Sequence, residues 1–220
     1  MHEPEAVAPD EAVVARRAAV VMAGHTGDAA TAVAGLGDPA PAVRAAALGA
    51  TARTGDLDDR RLSRALADPD PSVRRRAAEL AAVAGGDGSL AALAALLADP
   101  DDRVVEVAAF ACGEHRTAGD PEVAALAGVA TGHADPLCRE AAVAAIGSLV
   151  GRGVTGEGRT ALDAVVAGCG DRATVRRRAV LALAAFDGPE ATEALRRATA
   201  DRDLQVRQAA EELLAIDEGD

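Results

Sequence analysis

The 220-residue chain is expected to be all-α: an α-solenoid, wound as a right-handed superhelix, of about six helix pairs behind an N-terminal half-repeat. Three observations predict this. A short Asp-anchored motif recurs along the chain at spacings close to the length of a helix pair. Each copy is flanked by apolar stripes of helical period. The apolar half of the composition is almost all Ala, Val and Leu, with no Trp or Tyr and only Phe110 and Phe186 as aromatics. Small residues of good helix propensity favour closely packed helices over a β core, where branched and aromatic residues dominate.

The motif reads Asp38-Pro39-Ala40-Pro41-Ala42-Val43-Arg44, then Asp68-Pro69-Asp70-Pro71-Ser72-Val73-Arg74, then Asp99-Pro100-Asp101-Asp102-Arg103-Val104-Val105. A shortened copy is Asp135-Pro136-Leu137-Cys138-Arg139. The last two are Asp171-Arg172-Ala173-Thr174-Val175-Arg176 and Asp201-Arg202-Asp203-Leu204-Gln205-Val206-Arg207. Period self-similarity of this size is the signature of a repeat array. After each anchor runs a stripe at i, i+4, i+7 and i+8, as in Val73, Ala77, Leu80, Ala81 and in Val175, Ala179, Ala182, Leu183. This is the buried face of an amphipathic helix, helix B. Before each anchor runs another, helix A, as in Leu90, Leu93, Leu97 and in Leu162, Val165, Val166, Cys169.

Asp70-Pro71, Asp120-Pro121, Asp135-Pro136 and Gly188-Pro189 each set a capping residue before a Pro at the first helical position. Gly85-Gly86-Asp87-Gly88 and Gly113 are expected to end B helices. Six pairs then span about Asp28 to Ile216, after a half-repeat near Asp10 to Ala23 in which Arg17 falls in a slot held elsewhere by Ala. One repeat domain is expected over 10–216, between a disordered tail, 1–9, and an acidic tail, 217–220.

Net charge is −12 and lysine is absent. Such a balance disfavours nucleic acid and anionic membranes as partners. Three widely spaced cysteines, Cys112, Cys138 and Cys169, fit no disulfide framework and suggest a reducing compartment. The start lacks the basic and apolar regions of a signal peptide, and no apolar run approaches a membrane span. A cytoplasmic monomer is the expectation.

The pattern Asp-Pro-x-x-x-Val-Arg-x-x-Ala-Ala-x-x-Leu resembles HEAT-like repeats of the phycobilisome-lyase type over nearly the whole chain. The resemblance implies the solenoid, and it implies no single function, because such repeats serve scaffolds, adaptors, lyases and a few enzymes. It also implies an Asp–Arg ladder along the stack. Asp38 with Arg44, Asp68 with Arg74 and Asp201 with Arg207 keep a six-residue spacing. Asp135 with Arg139 and Asp171 with Arg176 are shortened. Val105 stands in the Arg slot of the third copy, so the ladder should break there.

Candidate chemistry is sparse. Cys112-x-x-His115 with His133-x4-Cys138 imitates a four-ligand zinc set, but His115 and His133 lie at opposite ends of a helix A, and Cys138 sits in the core slot of Val43, Val73 and Val175. HEAT-like deoxyhypusine hydroxylase carries His-Glu pairs on its B helices; here Glu114-His115 is reversed, single and at a loop. The chain lacks the aromatic surface a bilin lyase or a HEAT-like DNA glycosylase would use. Gly151 to Gly158 is Gly-rich without the Lys-Ser/Thr ending of a phosphate loop, and reads as an inter-repeat loop. Ser63, Ser72, Ser89 and Ser148 have no histidine near them in the repeat register. No catalytic residue, metal or cofactor is therefore expected. A lyase-like or metal-dependent enzyme of the HEAT group, or an accessory subunit of another enzyme, is the alternative.

What remains is a surface for a protein partner. Helices B are expected to line the concave face. Their outward slots hold Arg75, Arg76 and Glu79; Glu106 and Phe110; Glu140; Arg177 and Arg178; and Gln208. Phe110 is an aromatic in a slot that is polar or small in most of the neighbouring copies, as a binding anchor would be. The runs Arg74-Arg75-Arg76 and Arg176-Arg177-Arg178 would make two basic patches three repeats apart, suited to an acidic partner or anion or else to pairing within the stack. Phe186 falls on the buried stripe and is expected in the core.

Overall fold

The structure, a computed structural model, describes residues 10–217. Residues 1–9 and 218–220, most of the two expected tails, lie outside the described residues. Asp217, assigned above to the acidic tail, is instead the last residue of a helix. Among the described residues there are thirteen α-helices and no strand.

Helix α1 (Glu11–Thr26) is the half-repeat. Six A/B pairs follow: α2 (Ala29–Ala34) with α3 (Pro41–Thr54), α4 (Asp59–Leu66) with α5 (Pro71–Ala84), and α6 (Asp87–Ala95) with α7 (Asp102–Glu114). Then come α8 (Asp120–Gly132) with α9 (Pro136–Gly151), α10 (Gly158–Gly168) with α11 (Ala173–Ala182), and α12 (Pro189–Ala198) with α13 (Leu204–Asp217). The odd-numbered helices pack each on the next from α1 to α13, forming a continuous B layer. The A layer is looser, with its main contacts at α4–α6 and α8–α10. Most of these helices are too short to persist alone in water; burial of the apolar stripe holds them. Leu62, Leu93, Leu126, Ile146 and Leu149 are fully enclosed between the layers.

Caps follow the sequence closely. Asp28, Asp58, Asp70, Asp101 and Asp135 each accept a first-turn backbone N–H with a side-chain oxygen. At α8 the expected cap is displaced by one: Gly119 is the N-cap, and the Glu122 carboxylate accepts its N–H at 2.8 Å. Gly113 does not end its helix. It lies inside α7, where a Cβ would stand 2.8 Å from the Ala145 Cα of α9. Gly24 against Ala50 and Gly147 against Ala182 repeat this contact, so glycine here sets the approach of neighbouring B helices. Phe186, expected in the core, lies past the end of α11 and is half-buried, packed against the core.

The repeats are joined by a ladder of arginines. The guanidinium of Arg44 donates from Nε and Nη2 to both carboxylate oxygens of Asp68 in the next repeat, at 2.9 and 2.7 Å. Its Nη1 donates to the carbonyls of Asp38 and Pro39 in its own repeat. Arg74 does the same with Asp99, Arg139 with Asp171, and Arg176 with Asp201. Arg16 opens the ladder on Asp38 at 2.8 Å. Thus the arginine pairs with the following anchor, and meets its own anchor only through the carbonyl. The same carboxylates accept the N–H two residues on, as Asp38 does from Ala40 and Asp68 from Asp70.

This geometry corrects two registers. Arg139 donates to the carbonyls of His133 and Ala134, six and five residues back, so the fourth anchor is His133 and Asp135 is the N-cap. His133 also takes the carboxylate's place at the turn, its Nδ1 accepting the Asp135 N–H at 3.1 Å. The ladder breaks here as the sequence implied, and both members of the rung have changed: Val105 is fully buried where an arginine would stand, and a histidine replaces the aspartate facing it. In α1, Arg16 fills the ladder slot and Gly24 the close-contact slot, so Arg17 corresponds to Arg75 and Arg177 rather than to a core Ala.

Two predictions follow from the ladder. In urea unfolding, Val105→Arg alone should cost about 3 kcal/mol by enclosing an unpaired cation, while Val105→Arg with His133→Asp should recover much of it, with a coupling of about 1–3 kcal/mol; strictly additive effects would mean the slot cannot host a rung. The second concerns pH. The guanidiniums of Arg16, Arg139 and Arg176 hold Asp38, Asp171 and Asp201 below the usual carboxylate range. Burial pushes Asp99 up, but its bond to Arg74 and the Asp101 N–H bring it down on balance. A depressed native pKa means that the unfolded chain binds the proton more readily, so this stabilisation is complete above the ordinary aspartate pKa of about 3.9 and is lost as pH falls below it. The urea midpoint should decline from about pH 4 downward, and Asp99→Asn should lower it at pH 7 while flattening that decline.

Candidate functional site

The outward slots of the B helices form a series of shallow grooves. The central one, about 620 Å³, runs over α5, α7, α9 and α11. Glu79, Glu106, Phe110, Glu140 and Arg178 all line it, so five of the nine residues singled out from the sequence meet in one place. Phe110 stands near the middle of the array with 58% of its surface exposed. Its helix explains this: Ala108, Ala109 and Ala111 face inward and are fully buried, which leaves position 110 pointing away from the core.

Arg75 and Arg76 open instead on a second groove of about 560 Å³ toward the N-terminus, with Arg17, His25 and Arg53. Arg177 and Arg178 border a third, of about 250 Å³, with Glu140, Leu181 and Asp203. Gln208 is exposed on α13 and lines none of the three. The two arginine runs are not equivalent patches. Arg74 and Arg176 are spent in the ladder. Arg76 lies 2.7 Å from Glu79, with Arg75 at 4.0 Å, and Arg178 lies 3.6 Å from Glu140. Arg177 has no ion-pair partner among the described residues.

Sequence reasoning missed Leu137 and Glu114, both in the central groove, and Arg17, His25 and Arg53 in the second. The groove spans more than two helical turns, further than the outward slots taken from each helix. Leu137 did carry a signal: it is a large apolar residue where the other copies have Ala42, Ser72, Arg103, Thr174 and Gln205, and it is 53% exposed.

The cysteines and histidines have structural surroundings. Cys112 is buried, and burial together with the Glu122 charge pushes its thiol up to about 12. Burial pushes Cys138 and Cys169 up to about 11, with nearby aspartates adding to it at Cys138. These thiols are protonated at neutral pH and are not activated nucleophiles. Cys138 donates to the Asp102 carbonyl at 3.1 Å. His115 is enclosed at the end of α7, and His133 serves as the fourth anchor at the end of α8. Between them lie the thirteen residues of α8, a helix length of about 20 Å. The Gly-rich loop after α9 is tied across the stack: Arg152 donates to the carbonyls of Gly113, Glu114 and His115, and the Gly156 N–H to Asp120.

Comparison with known proteins agrees with this architecture. The Escherichia coli protein YibA superposes with a TM-score of 0.60 at 18% identity, over 74% of this chain and 60% of that one. An engineered protein superposes with a TM-score of 0.65 at 19% identity, over 87% and 97%. A designed armadillo repeat protein, in complex with the peptide (KR)4, does so at 0.52 and 16%, over 95% of each chain. At these identities the likeness is one of fold. The chain spans about three fifths of the length of YibA. None of the curated proteins matches it. The family model for HEAT repeats matches residues 36–113, 59–147 and 123–215, the stretch in which the ladder and the helix pairs recur, and the chain therefore belongs to the HEAT-repeat family.

Proposed function

We propose that this protein is a non-catalytic scaffold or adaptor that holds a protein partner on its B-helix face, acting as a monomer in the cytoplasm. The observation that carries the reading is Phe110: a 58% exposed aromatic over a groove built by four successive B helices, in a chain whose only other aromatic packs against the core. Large aromatics left in solvent at the centre of a face are the residues that anchor interfaces. The surrounding slots vary in charge from helix to helix while the ladder and core slots recur, which is how a repeat scaffold would separate recognition from folding. The designed armadillo repeat protein of similar fold is in complex with a peptide, which supports this reading.

The test is affinity capture of the tagged protein from its native host, beside the Phe110→Ala, Arg177→Glu variant. Wild type should recover a near-stoichiometric protein that the variant loses. Recovery of no protein, or equal recovery by both forms, would refute the proposed face. Because both side chains are exposed, the variant should unfold within about 0.5 kcal/mol of wild type, whereas Leu126→Ala in the core should cost about 2–5 kcal/mol.

A further inference from the structure

The B-helix face is polarised, and its polarity indicates the chemistry of what it holds. Toward the N-terminus the groove is basic: Arg17, Arg53, Arg75 and Arg76 with Glu79 alone against them. The central groove is acidic, with Glu79, Glu106, Glu114 and Glu140 against Arg178 alone. These carboxylates are not equally free. Glu79 is held by Arg76 at 2.7 Å, and Glu140 shares Arg178 at 3.6 Å. Glu106 and Glu114 have no ion-pair partner among the described residues. Arg152, the cation next along the chain from this groove, is bonded to the backbone carbonyls at the end of α7. Among these carboxylates Phe110 and Leu137 expose 58% and 53% of their surface, above a floor of small residues that includes Ala141, Ala144 and Ala145.

Resting on the scaffold reading, we propose that this central groove seats a basic peptide segment of the partner, with one apolar side chain of the segment laid on Phe110 and Leu137 and flanking arginines or lysines facing Glu106, Glu114 and Glu140. Three arguments select this occupant. The apolar pair needs apolar cover, since two large exposed side chains in one groove gain by burial about 25 cal/mol for each Å² removed from water. The unpaired glutamates would each lose hydration if an acidic or purely apolar segment covered them, and cations offset that penalty most fully. A face of Phe110 can itself accept a guanidinium. A groove of about 620 Å³ has the size of sites that enclose a drug-sized molecule, enough for a few side chains of an extended segment. The net charge of −12 draws a basic segment from a distance and speeds its capture.

Fluorescence anisotropy with labelled peptides on the full chain tests this. The probes are (Lys-Arg)4, the same peptide with one central residue replaced by Leu, and an octaglutamate. The Leu-containing basic peptide should bind tightest, and its binding should weaken as salt is raised. E106Q/E114Q should weaken both basic peptides by about tenfold or more. E193Q/E211Q, which removes equal charge outside the groove, should change binding by less than about twofold. Phe110→Ala should reduce binding of the Leu-containing peptide to the level of (Lys-Arg)4. Urea unfolding of each variant checks its fold. Failure of both basic peptides to bind at low salt, equal loss in E106Q/E114Q and E193Q/E211Q, or octaglutamate binding as well as they do would overturn the proposal. If a captured protein nevertheless depends on Phe110, the scaffold reading stands and only the basic chemistry of the segment falls.

Discussion

Everything in this molecule depends on how one guanidinium bridges two repeats. In α3, α5, α9 and α11 one arginine bonds bidentately to the carboxylate of the next anchor and, with its remaining nitrogen, to the backbone of its own turn. The anchor carboxylate also accepts the N–H that begins the next helix. One unit therefore closes the A-to-B turn, starts helix B and sets the offset to the neighbouring repeat. A planar fork with several donors suits all three; an ammonium has three donors but no parallel pair to meet both oxygens of a carboxylate. The ladder side chains are mostly enclosed, Arg176 being 5% exposed, so each rung gives up hydration for geometry. Its role is to specify register as much as to add stability.

The break between the third and fourth pairs supports this account. With Val105 in the arginine slot, an anchor aspartate would face no guanidinium in a largely closed place. His133 resolves the conflict by keeping the acceptor that the turn needs and omitting the fixed negative charge. The helices on either side remain in contact through Gly113 and Ala145, and Arg152 ties the end of α7 to the loop after α9. The missing rung is thus bridged by packing and by backbone hydrogen bonds.

Small residues determine the character of the surface. Because neighbouring B helices meet at Gly and Ala, they approach closely and leave shallow grooves instead of deep clefts. Among the described residues, the central groove of this surface is open along its length. The surface offers an extended strip on which charge can vary from one repeat to the next without disturbing the core. The strip here changes from basic to acidic around one exposed aromatic, a pattern suited to selecting a partner by electrostatics and anchoring it by apolar contact.

The helices, their pairing and most of their caps were legible in the sequence, because they follow from local periodicity and from residues that bond within a turn. Five of the nine proposed contact residues met in one groove for the same reason: a helical slot faces the same way in every copy. Tertiary structure decided the rest. Whether Arg75, Arg76 and Arg178 are free depends on Glu79 and Glu140, and the reach of a long side chain to a neighbouring turn or helix is not written in the repeat. His133 as an anchor was hidden because histidine shares no sequence signal with aspartate; only the carbonyls that Arg139 meets reveal it. Gly113 reads locally as a helix breaker, yet the backbone of α9, more than thirty residues away in sequence, needs that place left without a Cβ. Local bonding and periodicity made the elements, whereas contacts between helices set the charge and depth of the face they share.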